Sequence, residues 1–342
     1  MRRKLLKRAK FCRFLSPSVI EPTQQGRYHS VGIYVSGFDM ELLRQLRKSL
    51  TFGGLRIGME ISRSADGYEI VEAARYILLG LAKTIIPLRV RLARNMKLAG
   101  VYRRGLLDAY FARAIDQMVM IAHIIRTDLH QSGCLEKVVF DESFEYLKQA
   151  YSLGRGVINI APHLCFYPIY PAVLNLRIPC SVYMRRNKDP RKRKIDESVA
   201  RLGNAHLVYP PPGATKPQRF QIALNVLREG RMLFITPDTP KKPHEGVPVS
   251  IFGKRAYFPT GVFVMSMRTG APIVPTVWRW DGKVYRVQYS EPIVLSRGGN
   301  LREKAKAAAQ QWAKSVDDFL HECPEMWWNW LDKRWTRIIR TG

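Results

Sequence analysis

The chain is poor in cysteine and in acid, and it lacks any long apolar run. Five cysteines (Cys12, Cys134, Cys165, Cys180, Cys323) are spread over 342 residues with no C-x-x-C pair. That spacing excludes a disulfide framework and a structural zinc site, so they read as free thiols in a reducing compartment. The most apolar stretch near the N-terminus, Tyr76–Met96, is interrupted by Lys83, Pro87, Arg89 and Arg91. These breaks come well before the roughly 20 apolar residues needed to cross a bilayer. Two readings stay open for it: a helix lying in a membrane interface with its Arg side toward phosphates, or a helix packed in the core. No G-x-S-x-G, H-E-x-x-H or G-x-x-x-x-G-K-[ST] motif occurs, which argues against a serine elbow, a zincin site and a phosphate loop. No secretory leader, internal repeat or low-complexity tract is evident.

Base, by contrast, is abundant. Lys and Arg number 56 against 28 Asp and Glu, a formal charge of +28. Such a surface suits polyanions: nucleic acid, an anionic membrane face, or an acidic carrier protein. The charge is concentrated in residues 1–50 (seven of the eleven basic residues there before position 14), in Ser181–Asp196 and in Leu331–Gly342. Aromatics are not interleaved with these clusters, as stacking on bases would require, so nucleic acid is not the expected partner. They gather instead near Trp278–Trp280 and Trp327–Trp335, and the latter group beside arginines fits an interfacial belt.

Along the chain, residues 1–67 read as a basic tail and lead-in. From about Glu69 to Leu153 apolar residues recur at three and four, with Phe111, Ile115, Met118, Ala122 and Ile125 on one face, which predicts a helical region over 68–152 that associates with membrane. Residues 153–342 then alternate short β-branched runs with helical stretches, the signature of an α/β domain. The predicted strands are Val157–Ala161, Ile178–Met184, Met232–Thr236 and Pro272–Trp278, with Val284–Tyr289 as a partner. The expected fold is thus a central mixed, largely parallel sheet flanked by helices. Three strands end in chemistry: His163 after the first, Arg185 and Arg186 after the second, Asp238 after the third. In open parallel sheets ligands sit outside the carboxyl ends of the strands, so these residues are expected on one edge. An imidazole there is a candidate general base near neutral pH. Cys165, two residues on, has no motif marking it as a nucleophile and reads as a packed thiol.

Six blocks, in order, resemble the lipid A biosynthesis (lauroyl/myristoyl) acyltransferase family from about Arg75 to Trp335. They are Arg91–Asn95 (RLARN), Ala161–Pro168 (APHLCFYP), Val182–Pro190 (VYMRRNKDP), Arg228–Pro240 (REGRMLFITPDTP), Val249–Gly253 with Thr260–Gly261, and Pro324–Trp335 (PEMWWNWLDKRW). The resemblance implies a glycerolipid acyltransferase-like fold. The implied reaction moves a fatty acyl group from an acyl carrier protein or coenzyme A thioester to a hydroxyl or amine of a membrane lipid. His163 would deprotonate the acceptor, which attacks the thioester directly. No cofactor or metal is implied beyond the thioester co-substrate. The expected partners are an anionic membrane lipid and acyl carrier protein, at the cytoplasmic face of the bacterial inner membrane, in peripheral or monotopic association. Arg185 and Arg186 would clamp an anionic headgroup or a phosphopantetheine phosphate, and Arg201 falls near a family arginine.

One position departs from the pattern. The family motif is H-x4-E or H-x4-D, with the carboxylate orienting the histidine, but the fifth residue after His163 is Pro168. Asp238 is the expected substitute because it closes a strand on the same predicted edge, with Glu245 as the poorer candidate. If neither serves, the chain is a degenerate member that binds lipid or carrier protein without catalysis.

Overall fold

The computed structural model describes residue 60 and residues 67–184, 189–190, 193, 197, 205–296 and 298–341. Arg185, Arg186 and Arg201 lie outside the described residues, as does the basic tail.

The centre of the fold is a seven-stranded sheet. Its strands are β1 (Val138–Phe140), β2 (Val157–Ile160), β3 (Cys180–Tyr183), β4 (His206–Val208), β5 (Met232–Ile235), β8 (Ile273–Trp280) and β9 (Tyr285–Tyr289), in the order β1-β9-β8-β2-β5-β3-β4. From β8 to β4 all neighbours are parallel; β9 returns antiparallel to β8 and carries β1 parallel beside it. The central strands β2 and β5 are buried on both faces, which is why they read as unbroken apolar runs rather than alternating ones. A separate antiparallel hairpin, β6 (Val247–Ile251) and β7 (Lys254–Phe258), lies outside this sheet.

The sheet entry at β2 depends on Gly156. Its φ is +69°, and a Cβ there would come within 2.5 Å of the Leu227 carbonyl oxygen. Only glycine combines that backbone conformation with that approach. Flanking helices are α1 (Gly67–Thr84), α2 (Ile86–Leu98), α3 (Leu106–Arg126), α4 (Phe144–Ser152), α5 (Tyr170–Asn175), α6 (Lys216–Arg228), α7 (Gly261–Thr269), α8 (Leu301–Glu322) and α9 (Lys333–Thr341). α6 opens with a capping box between Thr215 and Gln218, and α8 with the Asn300 side chain accepting from the Arg302 and Glu303 amides. α8 buries Ala305, Ala308, Ala309, Trp312, Ala313 and Val316 along one stripe and packs on β6.

Two expectations are corrected. The stretch from Glu69 to Leu153 is not helical throughout: the β-branched pair Val138–Val139 extends along β9 as an added strand. On α3, Phe111 and Ile115 are buried and Ala122 and Ile125 half-buried, but Met118 points outward and is 49 % exposed. The residues that α3 buries in this stretch, Val119, Met120, His123 and Ile124, centre on the side of the helix opposite Met118. Among the described residues no helix is long and apolar enough to cross a membrane. The Tyr76–Met96 stretch breaks at Ile85, with Pro87 in the first turn of α2. Leu92 and Met96 enter the core, while Tyr76, Ile77, Leu81, Ile85, Ile86 and Val90 are exposed.

Candidate active site

β2 and β5 are parallel neighbours with Ile160 paired to Ile235, so the segments that follow them leave the sheet side by side. One carries Ala161–Pro162–His163 and the other Thr236–Pro237–Asp238. Asp238 is fully buried, with 0 % of its surface exposed, and its carboxylate collects four donors. Oδ1 accepts from Nδ1 of His163. Oδ2 accepts from the His163 backbone N–H at 2.9 Å, Trp327 Nε1 at 3.0 Å and Asn329 Nδ2 at 2.9 Å. With the carboxylate on Nδ1, the neutral imidazole keeps its proton there and presents the lone pair of Nε2. On that nitrogen, at 3.0 Å, sits the hydroxyl of Thr236.

The pair shifts both titrations. Burial disfavours the imidazolium of His163, but the Asp238 charge and hydrogen bond outweigh it and hold the pKa above the ordinary histidine value. Burial likewise opposes ionisation of Asp238, yet the His163 charge and the converging donors hold its carboxyl below the usual range. Asp332 and Arg334 add smaller opposing fields at the imidazole, raising and lowering its pKa respectively.

The loop that carries His163 is pinned on several sides. The Trp328 amide donates to the His163 carbonyl at 2.7 Å, and the Cys165 amide to the Met326 carbonyl at 2.6 Å. Phe166 adopts φ of 80°, a left-handed conformation costly for an aromatic residue, and its amide is captured by Gln117 Oε1 of α3 at 2.7 Å. Tyr167 stands edge-on to the imidazole with 5.3 Å between ring centroids. Pro168 adds no acceptor to this arrangement. Cys165 is fully buried, and burial pushes its thiol up to about 12, so it is a packed thiol.

A family model described as bacterial lipid A biosynthesis acyltransferase matches residues 99–337, well over half of the chain. The chain belongs to that family. Membership makes it an acyltransferase acting on lipid. No curated protein matches the chain.

In this acyltransferase the tail block Pro324–Trp335 has a different role from the one its composition suggested. Trp327, Trp330 and Trp335 are fully buried rather than interfacial. Trp327 binds the Asp238 carboxylate, Trp335 Nε1 donates to the Asp238 carbonyl at 2.8 Å, and Trp330 Nε1 to the Pro324 carbonyl at 2.7 Å. Tryptophan supplies bulk and one donor, which suits a site that must exclude water around a buried carboxylate. Asn95, in the RLARN block, ties this tail to α2 through the Trp330 carbonyl at 2.8 Å and Thr336 Oγ1 at 3.1 Å. The sequence pattern did not single out Thr236, Trp327, Asn329 or Asn95. The only local signal for Thr236 was a hydroxyl two residues before Asp238 at the same strand end.

Glu245 pairs with Lys216 at 2.8 Å, while Asp238 takes the imidazole. That ion pair stands on a cavity of about 390 Å³ between α6 and α7, opening at the carboxyl ends of β3 and β5. Lys216, Arg219 and Lys241 supply cations to its wall; Phe220, Ile235, Val262 and Met265 supply apolar surface.

Proposed function

We propose that the chain transfers a fatty acyl group from a carrier protein or coenzyme A thioester to a hydroxyl or amine of a lipid acceptor, with His163 as general base. The observation that carries this reading is the bond between the buried Asp238 carboxylate and Nδ1 of His163, which turns the lone pair of Nε2, where the Thr236 hydroxyl sits, to the work of taking a proton. In this reading Asp238, at the end of β5, does the orienting for which position 168 has no carboxylate, and a binding-only member is the alternative that the assay below separates from it. The acceptor proton goes to Nε2, and the imidazolium returns a proton to the departing thiolate.

A carrier-protein or coenzyme A thioester carries phosphate, and the cation-lined cavity beside β5 has the chemistry for such a group: cations for the phosphate, apolar wall for a chain. Arg185, Arg186 and Arg201 remain further candidates for the same charge. Peripheral association with the cytoplasmic face of the inner membrane rests on the exposed apolar row Ile77, Leu81, Ile86 and Val90 together with the +28 charge. Acyl carrier protein, itself acidic, suits that charge as donor.

The test is a transfer assay with radiolabelled acyl carrier protein thioester and a total bacterial lipid extract. A new labelled lipid that is absent with the His163→Ala variant supports the reading. Undiminished product from a folded His163→Ala protein would remove His163 from the mechanism.

A further inference from the structure

The segment that leaves β5 runs from Thr236, beside His163, past Lys241 and Lys242 to Glu245, and enters β6. It is held as a ridge. The Lys241 amide donates to the Tyr257 carbonyl of β7 at 2.8 Å, and the Glu245 amide to the Lys242 carbonyl at 2.9 Å. The Glu245 carboxylate pairs with Lys216 of α6 at 2.8 Å. A Cβ on Gly246 would come within 2.6 Å of the Phe258 carbonyl oxygen, so the bare glycine lets the two backbones close.

A hollow lies on each side of this ridge. One is the cavity beside β5, with Lys216, Arg219 and Lys241 in its wall. The other, of about 420 Å³, is lined by Arg255 and Tyr257 of β7 and by Arg302, Glu303 and Lys306 of α8. With Lys242 on the ridge, this face holds seven cations against two carboxylates. Both carboxylates are engaged, Glu245 by Lys216 and Glu303 by Lys306 at 3.6 Å. Arg219, Lys241, Lys242, Arg255 and Arg302 have no carboxylate partner among the described residues. Like charges gathered this way repel one another, and an anionic partner that covers them relieves the repulsion. The exposed apolar row that suits a bilayer is on α1 and α2, and none of it lines either hollow. A pinned ridge between two cationic hollows suits the acidic surface of a small protein instead. Lys241 is five residues from Thr236, so the cavity wall is at most about 18 Å of chain from the strand end at His163. An extended phosphopantetheine arm covers that reach.

We infer that this face is the docking surface for an acidic acyl carrier protein. Lys242, Arg255 and Arg302 meet carboxylates of the carrier, and the cavity beside β5 takes the phosphate of its arm on Arg219 and Lys241. The inference rests on the acyltransferase reading above and fixes where the donor sits.

The experiment measures initial transfer to lipid extract from a dodecanoyl carrier-protein thioester and from dodecanoyl-coenzyme A. Binding of fluorescently labelled holo-carrier protein, read by anisotropy, accompanies it and needs no turnover. Arg255→Glu with Arg302→Glu should raise KM for the carrier thioester and Kd for the holo-carrier at least about tenfold at low salt. Added salt should narrow that gap, because it screens the wild-type attraction. KM for dodecanoyl-coenzyme A, which brings no protein surface, should rise by less than about threefold. Arg219→Ala with Lys241→Ala should raise KM for both donors. Arg337→Glu with Arg340→Glu makes the same charge change on exposed residues of α9 and should leave carrier binding at the wild-type value. Unchanged carrier affinity in Arg255→Glu with Arg302→Glu would overturn the inference. An equal loss in the α9 variant would overturn it too, by reducing the effect to net charge. So would loss of partitioning onto anionic vesicles with carrier binding intact, which would assign the face to lipid. Wild type that binds the holo-carrier through this face but transfers from neither donor would sink the acyltransferase reading while the docking surface stands.

Discussion

Replacing Asp238 with asparagine separates the charge of the buried carboxylate from its shape. Asparagine offers one oxygen where the carboxylate offers two, and it faces four donors: Nδ1 of His163, the His163 amide, Trp327 and Asn329. If its oxygen takes the Oδ2 place, three donors are kept and the amide NH2 confronts Nδ1. The imidazole must then move its proton to Nε2, which removes the base from the reacting side. In the Ser-His-Asp template that tautomer error costs about 10⁴ in rate, and we expect a loss of the same order. If the amide flips, three donors lose their acceptor at about 1–3 kcal/mol each, so the first arrangement wins. Without the carboxylate, burial is the largest influence left on His163, ahead of the opposing fields of Arg334 and Asp332, and it favours the neutral ring. The wild-type rate should therefore rise with pH through a midpoint above the ordinary histidine value of 6.5. The residual activity of Asp238→Asn should have its midpoint below it. The assay is initial transfer rate against pH, with ¹⁵N chemical shifts of the imidazole to report the tautomer. A loss of less than about tenfold, or a midpoint that does not move down, would refute the reasoning.

Other expectations follow from the same contacts. Pro168→Glu restores the family carboxylate, but Nδ1 is already occupied by Asp238, so the rate should stay within about threefold of wild type; a gain above about tenfold would mean His163 lacks its orienting group. Trp327→Phe removes one donor from Asp238 Oδ2 while keeping an aromatic plug, and should lower the transfer rate while leaving vesicle partitioning unchanged; altered partitioning with normal turnover would return this tryptophan to the membrane interface. Ile77→Glu with Leu81→Glu places charge on the exposed row of α1 and should weaken binding to anionic vesicles without lowering the melting temperature, so unchanged partitioning would leave that face without a role. The His163–Asp238 pair should also shape stability against pH. Its histidine part is fully present below 6.5 and lost as pH rises through the raised folded value, and its aspartate part is present above 3.8 and lost as pH falls through the depressed one. Urea unfolding of wild type against Asp238→Asn should differ most between those limits, and a constant difference across pH 4–9 would contradict the coupling.

The edge of the sheet was legible because its evidence is local. A β-branched run ending in Pro-His or Thr-Pro-Asp declares both the strand and its terminal chemistry, and parallel neighbours bring those termini together. The partner of His163 was harder, since the family spacing pointed to position 168 and the actual contact spans 75 residues between strands. The tryptophans of the tail were misread for a related reason. Their composition beside arginine looks interfacial, and only the closed fold reveals that Trp327 and Trp335 converge on Asp238. β1 went unseen because three residues are too few to show a period, and β9 alone defines them as a strand.

The same tail joins the two halves of the proposed function. α2 carries exposed Ile86 and Val90 on one side and buried Leu92, Asn95 and Met96 on the other. Asn95 holds the Trp330 carbonyl, the Trp330 ring meets Trp327 edge-on at 4.9 Å between centroids, and Trp327 holds Asp238. Every link is buried and either hydrogen-bonded or packed ring to ring, so the chain of contacts is a strut and not a hinge. A lipid surface engaged by α1 and α2 would therefore stand at a fixed height and angle to His163. On that argument orientation of the acceptor comes from the way the whole molecule sits on the bilayer. Cutting the strut at Asn95 should then impair transfer to lipid in vesicles more than transfer to a short-chain acceptor in solution, where no surface fixes the approach.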